Sequence, residues 1–189
     1  MGLSLKETIC FIAGCIKMDN QIKYLISQGH IAKDNSVKAL SKKYLQKAKN
    51  NFSTMRLLSE VNSNKEARVL LNVPPDYNSD EWIVITGYYA MYAAALALIS
   101  KIGYRSKNHT ATLILLENSF IKRRLISEED LSILRKAMIQ KEEIEKLSDA
   151  RHKREIAQYS VTKQTTKEIA ERIKKDAYDF INKVESIIL

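Results

Sequence analysis

An all-α fold, an up-and-down bundle of about five core helices preceded by an N-terminal helical extension, is predicted by three observations. Glycine and proline are scarce, 5 and 2 in 189 residues, too few for the tight turns of an all-β chain. Apolar residues recur at steps of three and four, the period of a helix with one buried face. Ser, Asp or Asn stands before most of those runs, where a side-chain oxygen can accept from the first free backbone N–H groups. The expected division is an extension over 1–33 and a bundle over 34–189.

In the extension, Ser4 with Glu7 forms a capping-box pattern. Ile9, Ile12, Ala13 and Ile16 make one apolar stripe, which Ile22, Leu25 and Ile26 resume, and Gly29 is the expected stop. The second helix is capped within Asp34–Ser36 and carries Val37, Leu40, Tyr44, Ala48, Phe52, Met55 and Leu58 on one face. Its other face holds Lys38, Lys42, Lys43, Lys47, Lys49 and Arg56 with no acid among them. Such a run is usually a solvated face, and the absence of balancing acids makes a polyanion contact the alternative.

Residues from Asn64 to Leu71 suit a short helix, and Val73-Pro74-Pro75-Asp76 is the strongest break in the chain. Ser79 is the expected cap of the next helix, with Asp80 and Glu81 in its first turn, where they suit the helix dipole. That helix contains no charged residue from Trp82 to Ile99, a length borderline for a membrane span. Its tyrosines and alanines point instead to burial on all sides within a bundle or at a subunit seam, and no membrane association is expected. Gly103 is the expected stop. A fourth helix is expected from Asn108 to about Ile121. Ser127 with Asp130 caps a fifth, which has a candidate break at Ser148-Asp149. The last, from about Thr165 to Ile188, carries Ile169, Ile173, Ala177, Phe180, Val184 and Ile187 on one stripe. No strand of convincing alternation and no internal repeat is found.

The net charge of +9 favours polyanionic partners, nucleic acid above all. Cys10 and Cys15, the two cysteines, fall on different helix faces and are poor partners for each other, which fits a reducing cytoplasm. No Cys or His spacing suits a metal and no glycine loop suits a phosphate, so neither a metal nor a cofactor is expected. Paired acids such as Glu128-Glu129 and Glu142-Glu143 read as surface charge.

Two stretches hold what chemistry there is. The first is Gly87-Tyr88-Tyr89-Ala90-Met91-Tyr92-Ala93-Ala94-Ala95, followed by Gly103 and Lys107-Asn108-His109. Small residues at this density allow a second helix to approach closely, and buried tyrosine hydroxyls need partners. The second is Arg151-His152-Lys153-Arg154-Glu155-Ile156-Ala157-Gln158-Tyr159. An arginine on a partly apolar face calls for an anion, either a neighbouring acid or a phosphate.

In these stretches the sequence resembles the HEPN superfamily of small helical bundles. The branch it is most similar to is a prokaryotic one with a "YYAM-aromatic-x-A-A-x-A-L" helix, which here reads Tyr88 to Leu98. Gly103 and Lys107-x-His109 match that branch's "G-x-x-x-K-x-H" turn. Arg154 to Tyr159 match its "R-x-x-A-D-Y", with Gln158 in place of the acid. The resemblance covers roughly residues 36 to 188, on these motifs taken together. It implies a homodimer that binds RNA or a nucleotide in a dimer groove. It also implies a role as the ribonuclease, toxin-like half of a toxin–antitoxin pair, with a nucleotidyltransferase-like partner protein. Ribonuclease members carry Arg-x4–6-His, and here Tyr159 stands where that histidine would be. Two alternatives follow. One is a metal-independent endoribonuclease with Arg154, Tyr159 and His109 as catalytic residues and Tyr88, Tyr89, Arg151 and Lys107 on the substrate. The other is a non-catalytic module that docks the nucleotidyltransferase-like partner.

Overall fold

The computed structural model describes residues 20–153 and 161–189, with side chains over 20–145 and 167–189. The expected Ser4–Glu7 cap, Cys10, Cys15, Arg154 and Tyr159 lie outside the described residues.

The chain forms an up-and-down helical bundle. Helix α1, described over 20–27, closes at Gly29, where the N–H groups of Gly29 and His30 donate to the carbonyls of Ile26 and Leu25, both at 2.9 Å. A short strand β1 (Ile31–Lys33) follows and pairs antiparallel with β2 (Tyr104–Ser106), Ile31 opposite Ser106. This ladder escaped the sequence reading because three residues are too few to show an alternation. Burial of Ile31 fixes it to the core.

Asp34 accepts from the Ser36 N–H at 2.9 Å and starts a 3-10 turn (Asn35–Leu40) that runs into α2 (Ser41–Ser63). Of the expected apolar face, Val37, Ala48 and Met55 are buried, together with Leu45, while Tyr44, Phe52 and Leu58 pack at its margin. Asn64 caps the short α3 (Lys65–Leu70) by accepting from the Glu66 and Ala67 N–H groups. The proline break is held from within, because the Arg68 guanidinium donates to the carbonyls of Pro74 at 2.7 Å and Pro75 at 3.2 Å.

Helix α4 (Asp80–Lys101) is the central element, packed against α2, α6 (Glu128–Lys153) and α7 (Val161–Ile188). It is long and apolar enough to cross a membrane by length and composition. Nearly every residue from Gly87 to Ser100 is nevertheless buried or half-buried against its neighbours, as expected of a helix enclosed by a bundle. Small residues make this possible. A methyl group on Gly87 would sit 3.0 Å from Met55 Sδ on α2 and 3.2 Å from Ile173 on α7. Ser79 begins α4 where expected but does not cap it with its hydroxyl, which donates to the Leu58 carbonyl at 3.0 Å and to Asn62 Oδ1 at 2.7 Å. Asn78 supplies the cap instead, its Oδ1 accepting from the Asp80 N–H at 2.8 Å.

At the other end, Gly103 has φ +77°, and a Cβ there would lie 2.7 Å from Asn35 Oδ1, so both backbone angle and space require glycine. Helix α5 (His109–Leu116) is capped by Asn108 and widens into a π turn over Glu117–Ile121. Ser127 and Asp130 form the expected reciprocal cap of α6, which continues without a break through Ser148-Asp149 to Lys153. Helix α7 begins about a turn earlier than the expected Thr165, at Val161. It buries Ile173, Ala177, Phe180 and Val184, and its last carbonyls at Ile187 and Ile188 accept from the Lys101 ammonium.

Candidate functional site

Three helices meet where the tyrosine-rich part of α4 faces the start of α5 and the middle of α6. Tyr88 and Tyr92, four apart, share a face of α4, and their rings stack with centroids 5.9 Å apart. Tyr89 lies one step round, 5.2 Å from Tyr88, and is 40% exposed. His109 is the first residue of α5. The Asn108 cap, accepting from the Ala111 N–H at 2.8 Å, fixes how the chain enters that helix. The His109 ring lies 4.4 Å from the Tyr92 ring, and Nδ1 lies 2.5 Å from the Tyr88 hydroxyl. From α6, the Lys141 ammonium stands 5.5 Å from the Tyr89 ring centre and 5.9 Å from that of Tyr88, within cation–π range. Glu145, one turn on, pairs with it at 2.5 Å.

The electrostatics follow from burial and from these neighbours. Burial pushes the Tyr88 phenol well above its ordinary range, and Tyr92, Tyr89, Glu142 and Glu145 add to the effect. Tyr88 is therefore a neutral phenol, which can donate to Nδ1 or accept from it, as the imidazole tautomer decides. Burial and the Lys141 charge pull the His109 pKa below its ordinary value, against the opposing Glu142 and Glu145, so the ring is neutral at neutral pH. Burial pulls Lys141 down as well. The hydrogen bond and charge of Glu145, and Tyr89, more than reverse this, and the ammonium is held above its ordinary value.

Beneath this surface the cluster is closed. The space lined by Tyr88, Tyr92, His109, Thr112, Leu113, Leu134 and Met138 leaves no volume for a water molecule. A chain of hydroxyls continues on the far side, from Tyr92 to Thr112 at 3.4 Å and from Thr112 to Ser106 at 2.6 Å. Tyr89 is the exposed aromatic of the cluster, and the Lys141 side chain beside it is 12% exposed and paired with Glu145. Among the described residues no group of three or more His, Cys, Asp or Glu is placed to hold a metal ion.

Of the residues singled out in the sequence, Tyr88, Tyr89 and His109 come together. Lys107 is exposed near α1, its N–H donating to the His30 carbonyl at 2.9 Å. Arg151 is in the last turn of α6, about 15 Å along the helix from Lys141 at 1.5 Å per residue, with its side chain outside the described residues. Lys141, Glu142 and Glu145 were missed, as was the role of Tyr92. A signal was available: Lys141 stands where the stripe Leu134, Met138 would next place an apolar residue.

This geometry defines a small helical-bundle protein with a tyrosine–histidine pair at its centre and a cation–aromatic surface above it. The HEPN domain family model matches residues 62–187, which include Tyr88, Tyr92, His109 and Lys141. A UPF0332 protein of Archaeoglobus fulgidus is 33% identical over 103 residues, covering 54% of this chain and 71% of that one. The chain belongs to the HEPN domain family. The match begins within α2, so the β1 strand and most of α2 precede it.

Proposed function

We propose that this protein binds RNA or a nucleotide on the surface formed by Tyr89 and Lys141 above the Tyr88–His109 pair, in a groove completed by a second copy of the chain. The observation that carries this reading is the exposed Tyr89 ring with a charged ammonium 5.5 Å from its centre. A nucleobase stacks on such a ring whatever its sequence, and its phosphate needs a nearby cation. Family membership and the net charge of +9 support the same class of ligand. Arg151 and Arg154 are assigned to further phosphates. The distance of Arg151 along α6 from Lys141 suits a ligand longer than one nucleotide.

Cleavage, in this reading, is a metal-independent transesterification. A ribose 2′-oxygen gives up its proton and bonds to the adjacent phosphorus, and the 5′-oxygen leaves with a proton. Arg154 stabilises the charge on the phosphorane, and His109 and Tyr159 are the groups assigned to the proton transfers. A protein of this kind would serve as the toxin-like half of a toxin–antitoxin pair. The assay is total tRNA incubated in EDTA with wild type and with Arg154→Ala. Cleavage or binding that disappears in the variant supports the assignment, and unchanged RNA affinity contradicts it.

A second reading is favoured by the closed packing under the site. With Tyr88 and His109 satisfying each other and no space between them, the pair is a structural tie and the protein a docking module for a nucleotidyltransferase-like partner. A stoichiometric copurifying partner, with no RNA binding by either protein, selects this reading.

A further inference from the structure

From Lys42 to Thr54 the outward face of α2 is a basic and hydrogen-bonding surface, which ends at the exposed Leu57 in the same arc. Lys42, Lys43, Gln46, Lys47, Asn50, Ser53 and Thr54 are all exposed, and at 100° per residue they fall within one arc of about 140°. Lys38 extends the surface along the preceding 3-10 turn and is also exposed. From Asn35 to Ser59 the sequence contains no acidic residue. The one lysine of this helix with an ion-pair partner among the described residues is Lys49, turned toward Glu185 on α7. Lys42, Lys43 and Lys47 have no such partner among the described residues. Four like charges within two to three turns repel one another, and a polyanion laid along the face would relieve that repulsion.

We propose that this face of α2 is a second nucleic-acid contact, which grips the phosphate backbone of double-stranded RNA without reading its sequence. It rests on the RNA-binding reading above for the class of ligand and adds the structural form of that ligand. Two observations favour a duplex over a single strand. The aromatic residues of α2, Tyr44 and Phe52, are turned half-buried into the bundle, so the face offers no ring for an unpaired base to stack on. The exposed stretch from Lys42 to Thr54 is also about 18 Å long, enough to follow several successive phosphates of an A-form duplex. A membrane surface fits less well, because an interfacial helix submerges an apolar face and the apolar face of α2 is used against α4 and α7.

The test is fluorescence anisotropy with a labelled RNA duplex of arbitrary sequence, measured over a series of salt concentrations. It compares wild type with Lys42→Ala/Lys43→Ala/Lys47→Ala and with a control, Lys23→Ala/Lys65→Ala/Lys167→Ala, that removes the same charge from exposed positions elsewhere. The expected result is weaker binding by the α2 variant, with a log–log salt slope smaller by about two to three, while the control stays near wild type. No duplex binding by wild type, equal losses in the two variants, or wild-type binding only to phosphatidylserine-containing vesicles would each overturn the proposal. Arg154→Ala belongs to the other site and should leave the duplex slope unchanged. Loss of single-strand binding in that variant alone, with the duplex result intact, separates failure of one site from failure of the other.

Discussion

The Tyr88 hydroxyl lies 2.5 Å from His109 Nδ1 across 21 positions of sequence, and this contact ties the start of α5 to the middle of α4. Burial keeps Tyr88 protonated and His109 neutral, so the contact is a neutral phenol–imidazole hydrogen bond. The surface that carries Tyr89 and Lys141 is built on top of this tie.

Removing the hydroxyl tests the tie. Tyr88→Phe leaves Nδ1 in a closed site without its partner, and an unsatisfied buried group costs about 1–3 kcal/mol. Urea denaturation should show a loss in that range, with an unchanged slope against denaturant. Full stability in Tyr88→Phe would mean that the hydrogen bond contributes nothing net.

The pH dependence has a definite sign. The folded-state pKa of His109 is depressed below the ordinary 6.5, so the unfolded chain takes up this proton first. The contribution is fully present above pH 6.5 and is lost as pH falls below that value toward the folded pKa. Stability should therefore fall between pH 7.5 and pH 5.5, and His109→Gln should flatten that fall. An equally steep loss in the variant would assign the effect to other groups.

Gly87 sets the distance between α2, α4 and α7. Gly87→Val would put methyl groups against Met55 and Ile173, where even a single Cβ meets neighbours at 3.0–3.2 Å. Overpacking of this kind costs about 1–3 kcal/mol. Thermal denaturation should show a clear drop in Tm, and a variant as stable as wild type would contradict the close approach.

Asp130 acts twice, capping α6 and pairing with Lys183 at 2.5 Å. Burial raises its pKa, and the hydrogen bonds from Lys183 and Ser127 lower it by more, so it lies below its ordinary value. Its contribution is present above pH 3.8 and is lost as pH falls through the folded pKa. Asp130→Ala should destabilise by about 1–2 kcal/mol at neutral pH, and by less in acid. A loss independent of pH would point to packing in place of charge.

The helices were legible because their ends are chemically marked. The Ser127–Asp130 pair caps α6 as expected, Asp34 caps the 3-10 turn ahead of α2 and not α2 itself, Asn64 and Asn108 stand where helices were expected to begin, and Gly103 ends α4 at a backbone angle that few other residues tolerate. Ser79 marked the right position, but its hydroxyl is drawn to Leu58 and Asn62, tertiary partners that no local pattern announces. The β1–β2 ladder joins segments some seventy residues apart, each too short to carry a period. At the site, one motif supplied Tyr88 and Tyr89 and another His109. Lys141 and Glu145 were not found, because the rotation of α6 about its own axis relative to α4 is set by packing. Glu142, read as surface charge, is near enough to bias both Tyr88 and His109.

The central claim is that a nucleic-acid base stacks on Tyr89 beside the Lys141 cation. The most direct measurement is the affinity of a labelled single-stranded oligoribonucleotide in EDTA for wild type, Tyr89→Ala and Lys141→Ala, with folding of each checked by circular dichroism. The account predicts at least a fivefold to tenfold loss in Tyr89→Ala, from a stacking contribution of about 1–3 kcal/mol per base, and a shallower salt dependence in Lys141→Ala. Wild-type affinity in both folded variants would contradict it.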